Sequence, residues 1–319
     1  MNPESAPVPA VVVAGDALVD LTPTTSVRGT LAYEPHPGGS CLNVATGLGR
    51  LGVPVALLAR VSTDGFGLLL RDHLEESGVS ADLLVDTDDL TTLAAVVLRD
   101  GQATYSFYAS HTADRGLLPE HLPPLPPHAA LHVGSIALVL EPVASTLEGL
   151  LRQEAGRRVT SLDPNIRPGL IPDRAAYLRR FERWVPLVDV LKVSAEDLAW
   201  LYPDDAEDSV VQQWLSSGVS LVMVSHGESG ARASTPAASA RAAAPGVEVV
   251  DTVGAGDSFT SAALGHLHDR GLLERDALWG LDGPALTDLL QASCAAAADT
   301  CTRAGADPPR RPPADRTGR

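Results

Sequence analysis

Lysine is almost absent from this chain of 319 residues. Of its 24 lysine and arginine side chains one is a lysine, Lys192, which lies between Leu191 and Val193. A P-loop for nucleoside triphosphates needs a Gly-Lys pair followed by Ser or Thr. The chain therefore has no P-loop, and a nucleotide would have to be bound by another arrangement.

Cysteine is scarce as well. The three cysteines, Cys41, Cys294 and Cys301, have neither the spacing of a metal site nor that of a disulfide framework. They are typical of small buried residues in a reducing compartment. No apolar run reaches the length that crosses a bilayer, and no basic region precedes the short apolar run near the start. We therefore expect a cytoplasmic protein without a membrane partner.

Positive charge is also limited. The formal net charge is −16 and the sequence pI is about 4.8. An acidic balance of this size argues against a nucleic-acid partner, although it leaves room for a local anion site.

Short apolar runs alternate with longer helical patterns along most of the chain. The runs at 10–14, 53–61, 130–133, 159–162, 188–193 and 221–224 are predicted to be buried strands, and the stretches near 143–156, 174–184, 206–217, 255–270 and 284–301 are predicted to be helices. Such alternation is typical of an α/β fold with a doubly wound, mainly parallel sheet and helices on both faces.

Two regions break this pattern. Residues 17–35 and 91–109 contain short alternating strands that are too polar on one side for a buried sheet. We predict that they pair into a small separate sheet, which would form a lid. Residues 8–306 are then one domain, and the Pro- and Arg-rich residues 307–319 are predicted to be a disordered tail.

The string G-L-G-R-L-G at 47–52 matches the dinucleotide fingerprint G-x-G-x-x-G. That fingerprint must follow a strand and open a helix. Here it closes a helix that begins near Ser40, and a strand follows it. Gly52 is therefore interpreted as the end of a helix, with Pro54 beyond it.

The stretch D-T-V-G-A-G-D at 251–257 places Gly254 and Gly256 before an apolar helix. A helix N-terminus presents unpaired N–H groups and a positive dipole end, and glycines let phosphate oxygens approach them. Asp257 in the same turn can accept a proton from an alcohol. The alternative is a glycine turn in which Asp257 serves the helix dipole alone.

A second glycine pair stands in G-G-S-C-L-N-V-A at 38–45, also before a helix. Asn43 lies in the first turn of that helix, away from its apolar face. Its amide offers a donor and an acceptor to sugar hydroxyls, or it caps the helix locally.

With both stretches in this order, the chain resembles the ribokinase-like, or pfkB, family of carbohydrate kinases. The resemblance runs from about residue 10 to 306 and carries both family signatures, G-G-S-C-L-N-V-A-T-G-L-G-R-L-G and D-T-V-G-A-G-D-S-F. It implies a ribokinase-like α/β domain with a β-sheet lid. It also implies transfer of the ATP γ-phosphate to a sugar hydroxyl, with Mg²⁺ as cofactor.

The resemblance assigns roles to individual residues. It implies that Asp257 is the base and that the backbone of Gly254, Ala255 and Gly256 forms the anion hole. The sugar contacts that it implies are Asp20, Gly38, Gly39 and Asn43.

For the nucleotide, the resemblance assigns Ser225, Gly227 and Gly230 in V-S-H-G-E-S-G. It assigns the small-residue helix at 291–301 to the wall against adenine, although close helix packing explains those residues equally well. Asp251 is a candidate ligand of the K⁺ ion that some members bind, or a turn residue.

The metal motif departs from the family pattern. The family's N-x-x-E, which supports magnesium through water, stands here as S-A-E-D at 194–197. Ser194 replaces the asparagine, beside the nucleotide, and Asp197 replaces the glutamate. Asp197 is therefore the candidate for magnesium support, with Glu196 as the other.

Three stretches resemble fructokinases and favour fructose as the substrate: G-D-A-L-V-D-L, S-F-Y-A-S-H-T-A-D and S-L-D-P-N-I-R-P-G-L. They add Tyr108 and Arg167 as candidate sugar contacts. Arg167 either meets the sugar or the phosphate charge, or forms a structural salt bridge with Asp163.

Other substrates stay open. A 2-keto-3-deoxygluconate kinase would favour an arginine where Ala109 stands, so that alternative depends on Arg167 binding the carboxylate. A ribokinase usually has Asn at Leu18, and a nucleoside kinase would stack its base on Tyr105, Phe107 or Tyr108. A non-catalytic nucleotide-binding regulator on the same fold is the alternative of another class. A homodimer is compatible with each of these.

Overall fold

The computed structural model describes residues 7–99 and 102–311. Within them the strands are β1 (Val11–Ala14), β2 (Leu18–Thr25), β3 (Leu31–Gly38), β4 (Val55–Leu58), β5 (Arg60–Ser62), β6 (Val79–Ser80), β7 (Val85–Thr87), β8 (Leu93–Arg99), β9 (Gln102–Tyr108), β10 (Ala130–Gly134), β11 (Thr160–Asp163), β12 (Val190–Ser194), β13 (Leu221–Ser225), β14 (Ala231–Ser234) and β15 (Ser239–Ala242).

The α-helices of the same residues lie between or after these strands. They are α1 (Ser40–Arg50), α2 (Gly65–Glu76), α3 (Val143–Glu154), α4 (Arg174–Trp184), α5 (Ala195–Leu201), α6 (Glu207–Ser216), α7 (Ala255–Asp269), α8 (Arg275–Trp279) and α9 (Gly283–Thr300). The helices predicted from the sequence are confirmed within a few residues.

The largest sheet has nine strands in the order β15-β14-β13-β12-β11-β10-β1-β4-β6. Neighbouring strands from β13 to β6 pair in parallel, and β14 and β15 add an antiparallel edge. The predicted mainly parallel sheet is confirmed. The antiparallel edge was not predicted, because its strands are short and half polar.

Both faces of this sheet are buried. On the central strand β1, Val11 and Val13 pack into one hydrophobic cluster, whereas Val12 and Ala14 pack into the other. Successive side chains of a strand point to opposite faces, so a strand covered on both sides must be apolar throughout. This explains the continuous apolar runs of the sequence.

The predicted strand at 53–61 is wrong as a single element. The main-sheet strand ends at Leu58, and Arg60–Ser62 pairs with Val85–Thr87 in a separate two-stranded sheet. The apolar run continues through the break because residues on both sides of it are buried. Hydrophobicity alone does not mark where a chain changes its pairing partner.

The small sheet predicted from 17–35 and 91–109 is confirmed as four strands in the order β3-β2-β8-β9. Strand β2 is buried at Leu18 and Val19, where it leaves the body of the protein, and exposed at Thr24 and Thr25. The sheet therefore projects from the edge at which β1 ends.

The structure also places the glycine-rich stretch at 47–52 and the first residues of the predicted tail. Helix α1 ends at Arg50, and Gly52 has a φ of 78°, so G-L-G-R-L-G closes a helix as predicted. Of the predicted tail, residues 307–311 are described: Asp307 pairs with Arg50, and the N–H of Arg311 donates to the Arg50 carbonyl at 2.9 Å. Residues 312–319 lie outside the described residues.

Across the two described ranges, none of the helices combines the length and the apolar composition that a membrane crossing requires.

Candidate active site

The site forms at the edge where the parallel strands end. The carboxyl ends of parallel strands meet at one edge of a doubly wound sheet, and ligands bind there. Asp16 follows β1, Asp163 ends β11, Ser194 ends β12 and Ser225 ends β13. Of these, Asp16 and Ser225 line the space in front of the N-terminus of α7, although they come from distant parts of the sequence.

Helix α7 begins after Gly254, which has a φ of 76°. This left-handed conformation strains other residues, and a Cβ atom at Gly254 would lie 2.6 Å from that of Ala306. Glycine is therefore required there. The first turn of α7, with Ala255 and Gly256, presents its N–H groups and positive dipole end to the site.

Asp257 is the buried carboxylate of this turn. Its oxygens accept hydrogen bonds from Ser40 Oγ at 2.6 Å and from Asn43 Nδ2 at 2.8 Å, and Asn165 Nδ2 lies 3.4 Å from Oδ1. Burial raises the pKa of Asp257, and the bonds from Ser40 and Asn43 oppose that effect in part. The carboxylate is thus oriented by donors and is more basic than one in water.

The glycine pair before α1 brings the second group of site residues into place. Gly39 has a φ of 103°, and a Cβ atom there would lie 2.9 Å from the carbonyl oxygen of Asp16. The Asp16 carboxylate accepts the N–H of Ser40 at 2.8 Å and that of Cys41 at 3.3 Å, at the positive end of α1. This contact fixes Ser40 and Asn43 against Asp257.

A cavity of about 280 Å³ lies over these groups. Of the predicted sugar contacts, Asp20, Gly39, Asn43 and Arg167 line it. Gly38 does not line it, but its missing side chain leaves room for the Asp20 carboxylate. Tyr108 is 63% exposed and lies outside the cavity, whereas the neighbouring Phe107 lines it.

The electrostatics of this cavity are dominated by carboxylates. Burial raises the pKa of Asp20 to about 6, and the carboxylates of Asp16 and Asp257 add to that effect. Arg167, which is exposed, opposes it. A carboxylate that ionises in this range can accept hydroxyl hydrogen bonds at neutral pH.

Arg167 does not pair with Asp163, so the alternative of a structural salt bridge between them is wrong. Its Nη1 donates to Asn165 Oδ1 at 2.6 Å. Asp163 instead pairs with Lys192 Nζ at 2.8 Å and accepts from Thr260 Oγ1 at 3.1 Å. The Arg167 guanidinium therefore stands over the cavity rather than in the core.

Asn165 is a site residue that the sequence analysis missed. It has a φ of 36°, and its amide reaches Ser40 Oγ at 3.0 Å and Asp257 on one side and Arg167 on the other. Positive φ at a non-glycine residue is strained and is frequent at functional sites. The signal available in the sequence was its position two residues after a buried strand.

A second, larger cleft of about 540 Å³ meets the first cavity at Thr252 and Gly256, which line both. The predicted nucleotide residues Ser225, Gly227 and Gly230 line this cleft. Its other lining residues are mostly small or apolar, with Glu228 as the charged exception. Most of them come from α9, from the residue after it and from a segment at 244–249 that the sequence analysis did not assign: Ala244, Pro245, Val247, Val249, Cys294, Ala297, Ala298 and Cys301.

Ser194 and Asp197 form a helix cap. The Asp197 carboxylate is buried and accepts from the N–H of Ile166 at 2.8 Å, from the N–H of Ser194 at 2.9 Å and from Ser194 Oγ at 2.8 Å. Neither residue lines either cavity, and Glu196 is exposed. In the described part of the chain, no three His, Cys, Asp or Glu side chains are grouped to hold a metal ion. Ser194 and Asp197 therefore do not form a direct magnesium site, and support of magnesium by Asp197 through water stays a prediction.

Asp251 is half-buried just before the turn that opens α7. Its Oδ1 accepts the N–H of Val253 at 3.1 Å and its Oδ2 that of Gly305 at 2.8 Å. The carboxylate thus joins the loop before α7 to the segment after α9, close to Gly254.

Comparison with known proteins gives consistent matches over most of the chain. A family model for "pfkB family carbohydrate kinase" matches residues 9–312. A fructokinase from Rhizobium leguminosarum bv. trifolii is 38% identical over 277 residues, which cover 86% of this chain and 85% of that protein.

Solved structures match as well. A fructokinase with bound ATP from Xylella fastidiosa has a TM-score of 0.84 at 28% identity, and 93% of each chain is covered. A fructokinase double mutant from Vibrio cholerae O395 with fructose, ADP and potassium has a TM-score of 0.81 at 28% identity, and 95% of each chain is covered.

Proposed function

The chain belongs to the pfkB family of carbohydrate kinases, and on that basis we propose that it transfers the γ-phosphate of ATP to a primary hydroxyl of fructose. One observation carries the proposal. The buried carboxylate of Asp257 lies at the helix N-terminus where a polar cavity and a larger apolar cleft meet. An acceptor and a nucleotide bound in these two spaces would face each other across that turn.

In the proposed reaction Asp257 takes the proton of the acceptor hydroxyl. The hydroxyl oxygen then bonds to the γ-phosphorus while the bond from that phosphorus to the β–γ bridging oxygen breaks, which releases ADP. The backbone N–H groups of Gly254, Ala255 and Gly256 bind the charge that develops on the transferred group. Ser40 and Asn43 keep the carboxylate oriented while it accepts the proton.

Fructose is favoured over charged sugars by the chemistry of the cavity. Its polar groups include carboxylates, amides and hydroxyls, which suit a neutral polyol. An additional phosphate on the substrate would face Asp16, Asp20 and Asp257 with Arg167 as the opposing cation. The similarity to fructokinases over most of the chain supports the same choice.

We propose that magnesium arrives with ATP. Mg²⁺ keeps several waters and commonly binds nucleotide phosphates through few protein ligands. When bound, it would neutralise charge on the β- and γ-phosphates. No carboxylate of this chain is assigned to it, since Asp197 is already used as a helix cap.

For potassium, we propose Asp251 as a ligand, because its half-buried carboxylate lies just before the turn that opens α7. The potassium-containing fructokinase structure supports testing this ion. Turnover in KCl should exceed turnover in NaCl at equal ionic strength, and Asp251→Ala should abolish the difference.

The experiment that tests the function is ADP formation from ATP with a sugar panel. Fructose should give a higher kcat/KM than ribose or 2-keto-3-deoxygluconate, and ³¹P NMR should place the phosphate on a primary carbon. A preference for 2-keto-3-deoxygluconate would make Arg167 its carboxylate anchor. Absence of turnover with every sugar would favour the non-catalytic regulator. Cytoplasmic localisation and a homodimer stay predictions from the sequence.

A further inference from the structure

The single lysine of the chain lies directly behind the anion hole. Lys192 is on β12 and is 3% exposed. A Cβ atom built on Gly256 would lie 3.3 Å from its Nζ. The ammonium group is therefore separated from the anion-binding face of this turn by little more than the backbone itself.

A positive charge at this position is unfavourable unless a nearby negative charge compensates for it. A helix N-terminus carries partial positive charge, and a buried ammonium group loses its hydration. The Asp163 carboxylate provides this compensation. It accepts a hydrogen bond from Lys192 Nζ at 2.8 Å, and both side chains are almost fully buried. Although burial lowers the pKa of Lys192, the carboxylates of Asp163, Asp197 and Asp257 raise it overall, so the group stays charged.

The ion pair of Lys192 and Asp163 has a defined orientation relative to α7. The ammonium group lies against Gly256 in the first turn of α7, and Asp163 also accepts from Thr260, one turn further along. One turn of an α-helix advances about 5.4 Å. The positive end of the pair therefore faces the anion hole, and its dipole adds to that of α7.

The identity of the residue also matters. Lys192 is the one lysine among the 24 lysine and arginine residues of the protein, and all the others are arginines. A guanidinium group is broader than an ammonium group and spreads its charge over a planar fork, whereas the ammonium group is a compact point charge. Lysine therefore places a compact positive charge directly behind this turn.

We propose that Lys192 is a positioning residue for phosphoryl transfer, whose buried charge, directed by Asp163, strengthens the anion hole of Gly254, Ala255 and Gly256. This inference rests on the proposed function. Lys192 acts through the backbone turn and does not contact the transferred group. Its effect should grow as negative charge develops on that group, and should therefore appear in kcat more than in sugar KM.

The first test uses the chain's single lysine and needs no turnover. Protein labelled with ¹⁵N-lysine should give one side-chain Nζ signal. Addition of the non-hydrolysable ATP analogue AMP-PNP should shift that signal, whereas adenosine or fructose alone should leave it unchanged. If AMP-PNP at saturation, confirmed by calorimetry, leaves the signal unchanged, Lys192 does not sense the phosphates and the proposal is overturned.

The second test replaces the whole pair so that no charge is left buried alone. In Lys192→Met/Asp163→Asn we expect kcat to fall about 10–100-fold, below the roughly 10²–10³-fold loss of a direct anion-hole donor. Because Lys192 acts on the transferred group and not on the sugar, the KM for the sugar should change less than about threefold. Lys192 lowers the pKa of Asp257 and Asp163 raises it, so the acid limb of the kcat/KM profile should hardly move.

The matched control is Arg158→Met/Glu154→Gln, which removes another little-exposed ion pair whose residues line neither cavity. It should lose stability in thermal unfolding but keep its kcat. Lys192→Arg should also lose kcat, because a broader guanidinium group does not place the same compact charge behind the turn. A kcat within twofold of wild type in the Lys192/Asp163 variant overturns the proposal. Wild-type inactivity with every sugar would count against the proposed function, and the NMR test would still decide the role of Lys192.

Discussion

The two cavities that meet at α7 are built by opposite means. The smaller one is lined by the carboxylates of Asp16, Asp20 and Asp257, whose pKa values are all raised by burial. The larger one is walled mainly by small apolar residues of α9 and of the segment at 244–249. Binding in the smaller cavity therefore depends on individual polar atoms, whereas binding in the larger cleft depends on the shape of its walls.

This difference predicts two kinds of sensitivity. Loss of one polar atom should be costly in the polar cavity, since its partners are buried with it. In the apolar cleft, loss of one contact should matter less than a side chain that fills the space.

The largest expected effect is at the junction itself. Asp257→Asn keeps the size of the side chain but removes the proton acceptor. We expect kcat to fall by roughly 10²–10⁴-fold with a much smaller change in KM. Steady-state kinetics with ATP and fructose measures it, and near-normal turnover would show that Asp257 is not the base.

The second prediction isolates the polar cavity. Asp20→Ala should lower kcat/KM for fructose by about 10–100-fold, the range expected when a hydrogen bond to a charged group is lost. ATP affinity, measured by calorimetry, should stay nearly unchanged because Asp20 does not line the second cleft. An equal loss in both affinities would mean that the cavities are not independent.

The third prediction fills the apolar cleft. Ala297→Leu adds bulk to a wall residue, and it should raise KM for ATP by about tenfold while fructose affinity is kept. Ala295→Leu, on the exposed side of the same helix, is the matched control and should leave both values unchanged. If Ala297→Leu does not affect ATP, the nucleotide lies elsewhere.

The fourth prediction uses the titration of Asp20. Its pKa is raised to about 6, so the carboxylate is ionised at pH 7 and protonated at pH 5. If the ionised form binds the sugar, fructose affinity should weaken by about tenfold as the pH falls from 7 to 5, as one titrating group requires. Calorimetric Kd values for the wild type and Asp20→Asn test this, since the variant should lack that change.

The smallest expected effect concerns the small sheet over the polar cavity. If residues 17–35 and 91–109 close over the sugar, fructose should slow their amide hydrogen exchange by a few-fold. Protection confined to residues 249–267 would instead show that this sheet does not act as a lid.

The sequence predicts the backbone turns of the site more directly than the roles of its polar side chains. The glycine turns at Gly39 and Gly254 were predicted because a required backbone conformation leaves a direct mark on the sequence. Ser194 and Asp197 were assigned to the nucleotide and the metal through the family motif. In the fold they form a cap whose hydrogen bonds use the carboxylate, which a motif comparison does not reveal.

Local signals in the sequence are sufficient to predict the α/β alternation, the small second sheet and the family, because strand period, helix starts and glycine turns depend on neighbouring residues. Which side chains meet depends instead on how the elements pack together. Asn43 and Asp257 are 214 residues apart in the chain, and they meet because α1 and α7 pack against each other with their N-termini at the same edge of the sheet. Lys192 pairs with Asp163 because the two residues lie on the neighbouring strands β12 and β11, whereas Arg167, in the loop after β11, contacts Asn165 instead.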